Sequence, residues 1–582
     1  MMTPRSWTCV FVLMFATVGQ RATPAGDWQA VIGKQHLNLK VEQAASRAFT
    51  AILVAVDQGN AAIPVDTFSF GDDGSVRFEM KSLPASFEGK LAADGASIAG
   101  EWKQGGTSIP LAFRRPNASA AAFTLKPTRK GTIAFTPCRT ANDALEALCG
   151  TYQVYENRET RAGRTIALNV LMMPAKADAS DPDPLFALAG GPGQSATEAF
   201  PLAAYVRAIS ERRDVVLVDQ RGTGKSNLLD CALLSLERPQ EVLGDPYSLD
   251  RIRACRADSD RKADTTQYTT SVAADDLDDV RAALGYERIN LLGGSYGAKA
   301  ALVYLRRHGD HVRTLTLEAI APPGFLIPLP FAKGIQAAVE GVIALCDADG
   351  ACHTAYPELR KQYRAIVARL AETAAQFDVH NEHVTLSKEM FVSKLRTVLY
   401  VPQFVSVFPL IVQRAYAGDW TAYAGVVMQL ASALDGSVAR GANFAAICAE
   451  DVPAFTPARI RSATEGTDLG DSQARRYEEY CKAWGTAGRA PKGFYEPVRS
   501  NVPALLISGA LDPGTPPSFA RDVATSLPNG RLITIPEGTH GTGSACVDGL
   551  IAEFVKRGSA KDLDASCVAG IHLPPFVTRQ QP

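Results

Sequence analysis

Residues 289–297 constrain the fold more tightly than any other part of the chain. The apolar run Ile289-Asn290-Leu291-Leu292 passes without a spacer into Gly293-Gly294-Ser295-Tyr296-Gly297, and an alanine-rich stretch with helical spacing over 298–307 follows at once. A strand that turns into a helix this abruptly has no room for side chains at Gly293 and Gly297, and it lifts Ser295 onto a sharp, strained turn with its hydroxyl exposed. Alternating strands and helices build a mainly parallel sheet covered on both faces. From about residue 132 the chain continues in that pattern, with strands expected at 166–173, 185–188, 215–218, 289–292, 315–317, 504–507 and 532–535 and a helix over 272–284. After Pro322-Pro323 the strand signals fade, and the stretch to about residue 498 is mostly helical in pattern, which predicts a helical insertion capping the carboxyl ends of the strands.

The first hundred residues differ. Leu37, Leu39 and Val41 alternate with polar residues, as do Val76, Phe78 and Met80, and Ile109, Leu111 and Phe113. The pairs Asp73-Gly74, Asp94-Gly95 and Gly105-Gly106 separate such runs and suit hairpins that need positive φ. A small antiparallel β domain over 26–115 is expected, as an accessory or packing module, since it carries no constellation of acid, base and nucleophile. Asn117-Ala118-Ser119 is a glycosylation sequon just beyond it. The predicted organisation is a leader over 1–25, the β domain over 26–115, a sheet domain in two parts over 132–325 and 499–582, and the helical cap over 326–498.

Arg5, an apolar run over 7–18, and small and polar residues to Asp27 read as a secretory leader, too short to span a bilayer. Removing Cys9 from the 11 cysteines leaves ten, an even number that an oxidising compartment would pair. Neighbours along the chain suggest Cys138 with Cys149, Cys231 with Cys255, Cys346 with Cys352, Cys448 with Cys481, and Cys546 with Cys567. A periplasmic or secreted protein without stable membrane insertion follows. The formal net charge of −1 and the lack of a long basic stripe argue against nucleic acid as a partner, and nothing in the chain indicates an oligomeric state.

A serine hydroxyl is a weak nucleophile at neutral pH and needs a histidine to take its proton, with a carboxylate to orient that histidine. Asp512 lies just past the strand at 504–507 and His540 just past the strand at 532–535, in the chain order serine, acid, histidine. His572, the one other histidine after Asp512, follows no strand. The oxyanion of a tetrahedral intermediate would be met by the backbone amide of Tyr296 and by Gly191 in Ala189-Gly190-Gly191-Pro192-Gly193. Gly224-Lys225-Ser226 imitates the end of a phosphate-binding loop, but Asp219 stands where that loop needs glycine, so no nucleotide is implied. His308 with His311, and His380 with His383, have metal-like spacing but no third ligand evident nearby, and surface or structural roles fit them better. Neither a metal nor another cofactor is expected.

Taken in order, Gly190-Gly191-Pro192-Gly193, Asp219 to Ser226, Gly293 to Gly297 and the Asp512 and His540 segments resemble the prolyl aminopeptidase and tripeptidyl aminopeptidase branch of the α/β-hydrolases, over roughly residues 135–570. The resemblance implies an α/β-hydrolase sheet with a helical cap, no metal, and hydrolysis of short peptides from the amino terminus through an acyl-enzyme. Ala189 stands where the prolyl enzymes usually carry histidine, which argues against strict proline specificity. Exopeptidases of this branch hold the substrate's ammonium with cap carboxylates, and Glu450 and Asp451, then Glu318, are the candidates here. An esterase or lactonase on the same fold is the alternative, and a catalytically inactive binding protein is a third reading, opposed by the complete serine, acid and histidine set.

Overall fold

The computed structural model describes residues 23–578 apart from short internal stretches at 33–34, 45–47, 56–60, 82–84, 105–106, 117–122, 141–144, 178, 202, 246 and 542. The leader up to residue 22, the Gly105-Gly106 turn and the Asn117 sequon lie outside the described residues. The chain divides into two compact units, one comprising most of the residues up to 121 and the other the remainder.

The first unit is a nine-stranded antiparallel sheet that curls into a half-barrel. Its first strand, Gly26–Ile32, pairs with its last, Thr107–Arg114, and the other strands run outwards on either side. Alternation sets which face is buried: Val76, Phe78 and Met80 point inwards from Ser75–Met80, while the residues between them are exposed or partly so. The core is aromatic, with Phe78 stacked on Phe87 at 5.1 Å and Phe113 meeting Phe87 edge to face at 5.3 Å. Gly74 and Gly95 adopt φ of 85° and 68°, as their turns require.

The second unit holds a ten-stranded mixed sheet. In spatial order its strands are Thr128–Lys130, Ile133–Arg139, Glu146–Tyr155, Thr165–Met173, Val215–Val218, Leu185–Leu188, Ile289–Gly294, Val312–Glu318, Ala504–Gly509 and Gly530–Ile535. The first five pair antiparallel and the rest parallel. Strands 185–188 and 215–218 are apolar throughout and buried along their whole length, as parallel strands covered by helices on both faces must be. The antiparallel strands over 128–155 were not among those expected; their alternation is broken by Pro137, Cys138 and Gly150. The stretch from Phe331 to Trp484 is helical except for one hairpin, Ala375–Val379 with Glu382–Leu386, whose positive-φ residues His380 and Asn381 form the turn. Its apolar helix faces share a core of their own around Ile335, Val339, Phe391, Leu395, Phe408 and Ile411.

Five disulfides join the cysteine pairs expected from chain proximity. Each closes a short loop, the longest separation being 33 residues. Among the described residues no helix is long and apolar enough to cross a membrane.

Candidate active site

Ser295 sits between Ile289–Gly294 and the helix Tyr296–His308 with φ of 57°, a conformation that a residue with a side chain adopts only under constraint. The flanking glycines supply that constraint. A Cβ on Gly293 would lie 2.1 Å from the carbonyl oxygen of Gly297, and one on Gly297 would lie 2.1 Å from that of Leu188. The amide of Ser295 donates to the carbonyl of Glu318 at 3.0 Å, fixing the turn to the neighbouring strand.

The sheet's ninth and tenth strands deliver the other two groups. Asp512 follows Ala504–Gly509 and is buried. Its carboxylate accepts from the amides of Gly514 (2.7 Å) and Thr515 (2.9 Å) and from the Thr515 hydroxyl (2.6 Å). His540 follows Gly530–Ile535, and its Nδ1 stands 2.9 and 3.0 Å from the two Asp512 oxygens. An Nδ1–H donating to the carboxylate leaves the Nε2 lone pair facing Ser295 Oγ, 3.1 Å away. A hydroxyl, an imidazole and a carboxylate thus form one hydrogen-bonded chain across a span of 245 residues.

The groups around this chain come from distant parts of the sequence. The Tyr400 ring stacks on the His540 imidazole at 4.3 Å with a 17° tilt, and its backbone carbonyl accepts from the Thr539 hydroxyl at 2.7 Å. Gly191 and Tyr296 line the same cavity as Ser295 and His540, a space of about 660 Å³. The glycine loop abuts the serine, since a Cβ on Gly190 would lie 3.3 Å from that of Ser295. From the helical insertion, Asn443 donates to the Pro192 carbonyl at 2.8 Å. Beneath the loop, Asp219 is fully buried and accepts from Ser195 Oγ (2.7 Å), Thr197 N (3.0 Å), Asn169 Nδ2 (2.9 Å) and Lys225 N (3.1 Å). The residue that breaks the phosphate-loop pattern is therefore the anchor joining two glycine loops. Arg221 makes a two-pronged pair with Asp276, at 2.6 and 2.8 Å. Thr515 and Tyr400 were not singled out as site residues from sequence, because a stacked ring or a hydroxyl behind a carboxylate leaves no local pattern, and Asp219 stood out there only as part of a motif, without a role of its own.

The cap carboxylates are placed otherwise than expected. Glu450 and Asp451 are buried, and neither is among the residues that line the cavity. Glu450 accepts from the amide of Thr270 (2.6 Å) and from its hydroxyl (2.5 Å), which in turn meets the Tyr296 hydroxyl at 2.6 Å. Burial outweighs the Lys299 charge and raises the Glu450 carboxyl to about 7. Asp451 pairs with Lys299 at 2.7 Å, four residues past Ser295 on the same helix. Burial also pushes the Asp451 carboxyl up, against the pull of Lys299. Glu318 ends its strand and does not line the cavity. The physical reason is the cost of an isolated charge away from water, which drives each of the two cap acids onto the nearest internal partner.

His308 and His311 do meet a third potential ligand, Asp278, from the preceding helix. That carboxylate also accepts from Arg281 (2.7 Å) and Tyr304 (2.8 Å), and His308 Nε2 is hydrogen-bonded to Asp275 at 2.9 Å. The cluster reads as a structural ion-pair network. His383 bonds Asp378 within the exposed hairpin.

Known proteins bear on these elements. The serine protease Hip1 of Mycobacterium tuberculosis is 24% identical over 501 residues, covering 75% of this chain and 91% of that protein. The tripeptidyl aminopeptidase of Streptomyces lividans is 31% identical over 155 residues, 23% of this chain and 28% of that one. Among solved structures, the proline iminopeptidase of Mycobacterium smegmatis matches with a TM-score of 0.32 and 16% identity, over 70% of this chain and 98% of that one. The family model for the alpha/beta hydrolase fold matches residues 183–542, a span that starts just before the glycine loop, includes Ser295 and Asp512, and ends just past His540. With more than half of its length matched, the chain belongs to the alpha/beta hydrolase fold family.

Proposed function

We propose that the protein is an exported serine hydrolase that cleaves short peptides from the amino terminus through an acyl-enzyme. The observation that carries the reading is the imidazole of His540 bridging Ser295 Oγ at 3.1 Å and Asp512 at 2.9 Å. In this reading Ser295 Oγ attacks the scissile carbonyl carbon while His540 Nε2 takes its proton, and Asp512 holds Nδ1–H and stabilises the imidazolium. The amides of Tyr296 and Gly191 receive the oxyanion. The imidazolium then protonates the leaving amine as the C–N bond breaks. A water molecule, deprotonated by the same imidazole, attacks the acyl-serine and restores the hydroxyl.

Peptides as substrates, and cleavage at their amino end, rest on the likeness to the serine protease and to the tripeptidyl aminopeptidase. Five disulfides support a location outside the cytoplasm. Labelling of Ser295 by a fluorophosphonate, followed by a panel of short peptides with free or acetylated amino ends and of simple esters, tests the reading in two stages. Unlabelled Ser295 in folded protein removes the hydrolase. Equal turnover of free and acetylated peptides removes the amino-terminal preference.

A further inference from the structure

Four cations line the cavity, Lys394, Arg396, Arg440 and Arg476, against two carboxylates, Asp245 and Glu389. Asp245 is already matched, by Arg476 at 2.9 Å and by the Tyr480 hydroxyl at 2.5 Å. Arg396 is in a different position. It projects from the helix Lys388–Val398, and among the described residues no carboxylate forms an ion pair with it. One Nη donates to the Tyr400 hydroxyl at 2.5 Å, and the guanidinium packs against the rings of Phe331 (4.4 Å) and Tyr400 (5.0 Å). Its Nε is shut off from solvent and has no hydrogen-bond partner among the described residues. Arg414 likewise buries an Nε that makes no hydrogen bond among the described residues, but it has a carboxylate beside it, Asp419 at 3.2 Å.

Arg396 is half-buried, so its guanidinium is only partly hydrated and its charge is unmatched, and an anion entering the cavity would relieve both. The phenols around Arg396 do not serve, because burial pushes Tyr400 and Tyr477 up and keeps both neutral. The planar fork of arginine matches a carboxylate, and the aromatic packing fixes it in advance. Through Tyr400 the same side chain is one residue removed from His540.

We propose that Arg396 is a carboxylate receptor within the substrate cavity, so that the enzyme selects peptides presenting a free carboxylate, either the α-carboxylate of a short chain or an acidic side chain. The proposal rests on the hydrolase reading for the identity of the ligand as a peptide, and its test is built on binding so that the two fail separately. In S295A protein, which cannot turn substrate over, tetra-alanine and its carboxy-terminal amide are titrated by calorimetry, alongside Ala-Ala-Glu-Ala amide and Ala-Ala-Gln-Ala amide. The acid is expected to bind at least about tenfold more tightly than its neutral counterpart in one series, which tells the chain end from the side chain. Adding R396Q should bring that ratio close to one, and R396K should restore part of it. Equal binding of acid and neutral peptide in both series overturns the proposal, as does a preference that survives R396Q. If R396Q does not fold, the S295A ratios and R396K decide. Failure of wild-type Ser295 to label with a fluorophosphonate is a separate result, against the hydrolase alone.

Discussion

The two units bury different kinds of group, and the difference separates what holds the protein together from what prepares a site. Among the described residues, the half-barrel unit has no polar or charged residue in its buried interior, which is built from Trp28, Phe78, Phe87, Trp102, Phe113 and their aliphatic neighbours. The hydrolase unit buries Asp219, Arg221, Asp276, Lys299, Glu450, Asp451 and Asp512. An apolar interior gains stability in proportion to the area it removes from water and asks little of geometry. Buried charges return little net stability, but each demands a partner at a fixed distance, and those demands fix loops in place. In the hydrolase unit the fixed loops are those that carry Gly191, Ser295 and Asp512.

The largest test of this contrast is at Ser295, the proposed nucleophile. S295A should reduce hydrolysis on the order of 10⁴-fold or more, with D512N close behind, while the thermal melting midpoint stays within a few degrees. A loss of stability matching the loss of activity would mean that the hydrogen-bonded chain is structural. Next come two substitutions of similar cost and different kind. K299M leaves Asp451 without its counter-charge and is expected to destabilise the hydrolase unit by about 3–5 kcal/mol in denaturant titrations, with K299M/D451L recovering much of it. F113A opens a cavity in the half-barrel for a comparable cost of about 3–5 kcal/mol, and fluorophosphonate labelling of Ser295 should proceed at the wild-type rate. A slowed labelling rate in F113A would erase the distinction between the units.

The smallest expected effect is on pH dependence. The Glu450 carboxyl is raised from 4.5 to about 7 by burial. A folded-state value above the unfolded one gives stability that is complete below about 4.5 and is lost as pH climbs through about 7. E450Q should flatten that slope between pH 5 and 8, an interval chosen to span the shift. An unchanged slope would show that Glu450 does not titrate there.

How far the sequence could be read depended on distance along the chain. The Gly293 to Gly297 turn was legible because its strain is local: both glycines face backbone atoms that any strand running straight into a helix would bring there. Asp512 and His540 were legible as partners for Ser295 because loops at strand ends are where such groups sit, and few histidines follow Asp512. The disulfides were legible because each cysteine bonds a near neighbour in the chain. The antiparallel strands over 128–155 escaped notice where proline, cysteine and glycine interrupt the alternation that marks a half-buried strand.

Glu450 and Asp451 show the limit. The resemblance to exopeptidases with cap carboxylates implied a cavity-facing role for them, yet their partners, Thr270 and Lys299, lie 180 and 152 residues away. Arg396 carried no signal in the sequence, because a lone arginine on an amphipathic helix looks like any other until the fold shows that, among the described residues, no carboxylate forms an ion pair with it. Backbone conformation at a turn is decided by a few adjacent residues, so the sequence alone determined the elbow and the chain order of Ser295, Asp512 and His540, whereas it suggested the cysteine pairing by proximity and the fold decided it. Which charges are buried, and against what, depends on pairings between remote segments, so the tertiary structure alone decided where the cap acids point and that, among the described residues, no carboxylate pairs with Arg396 at the cavity wall.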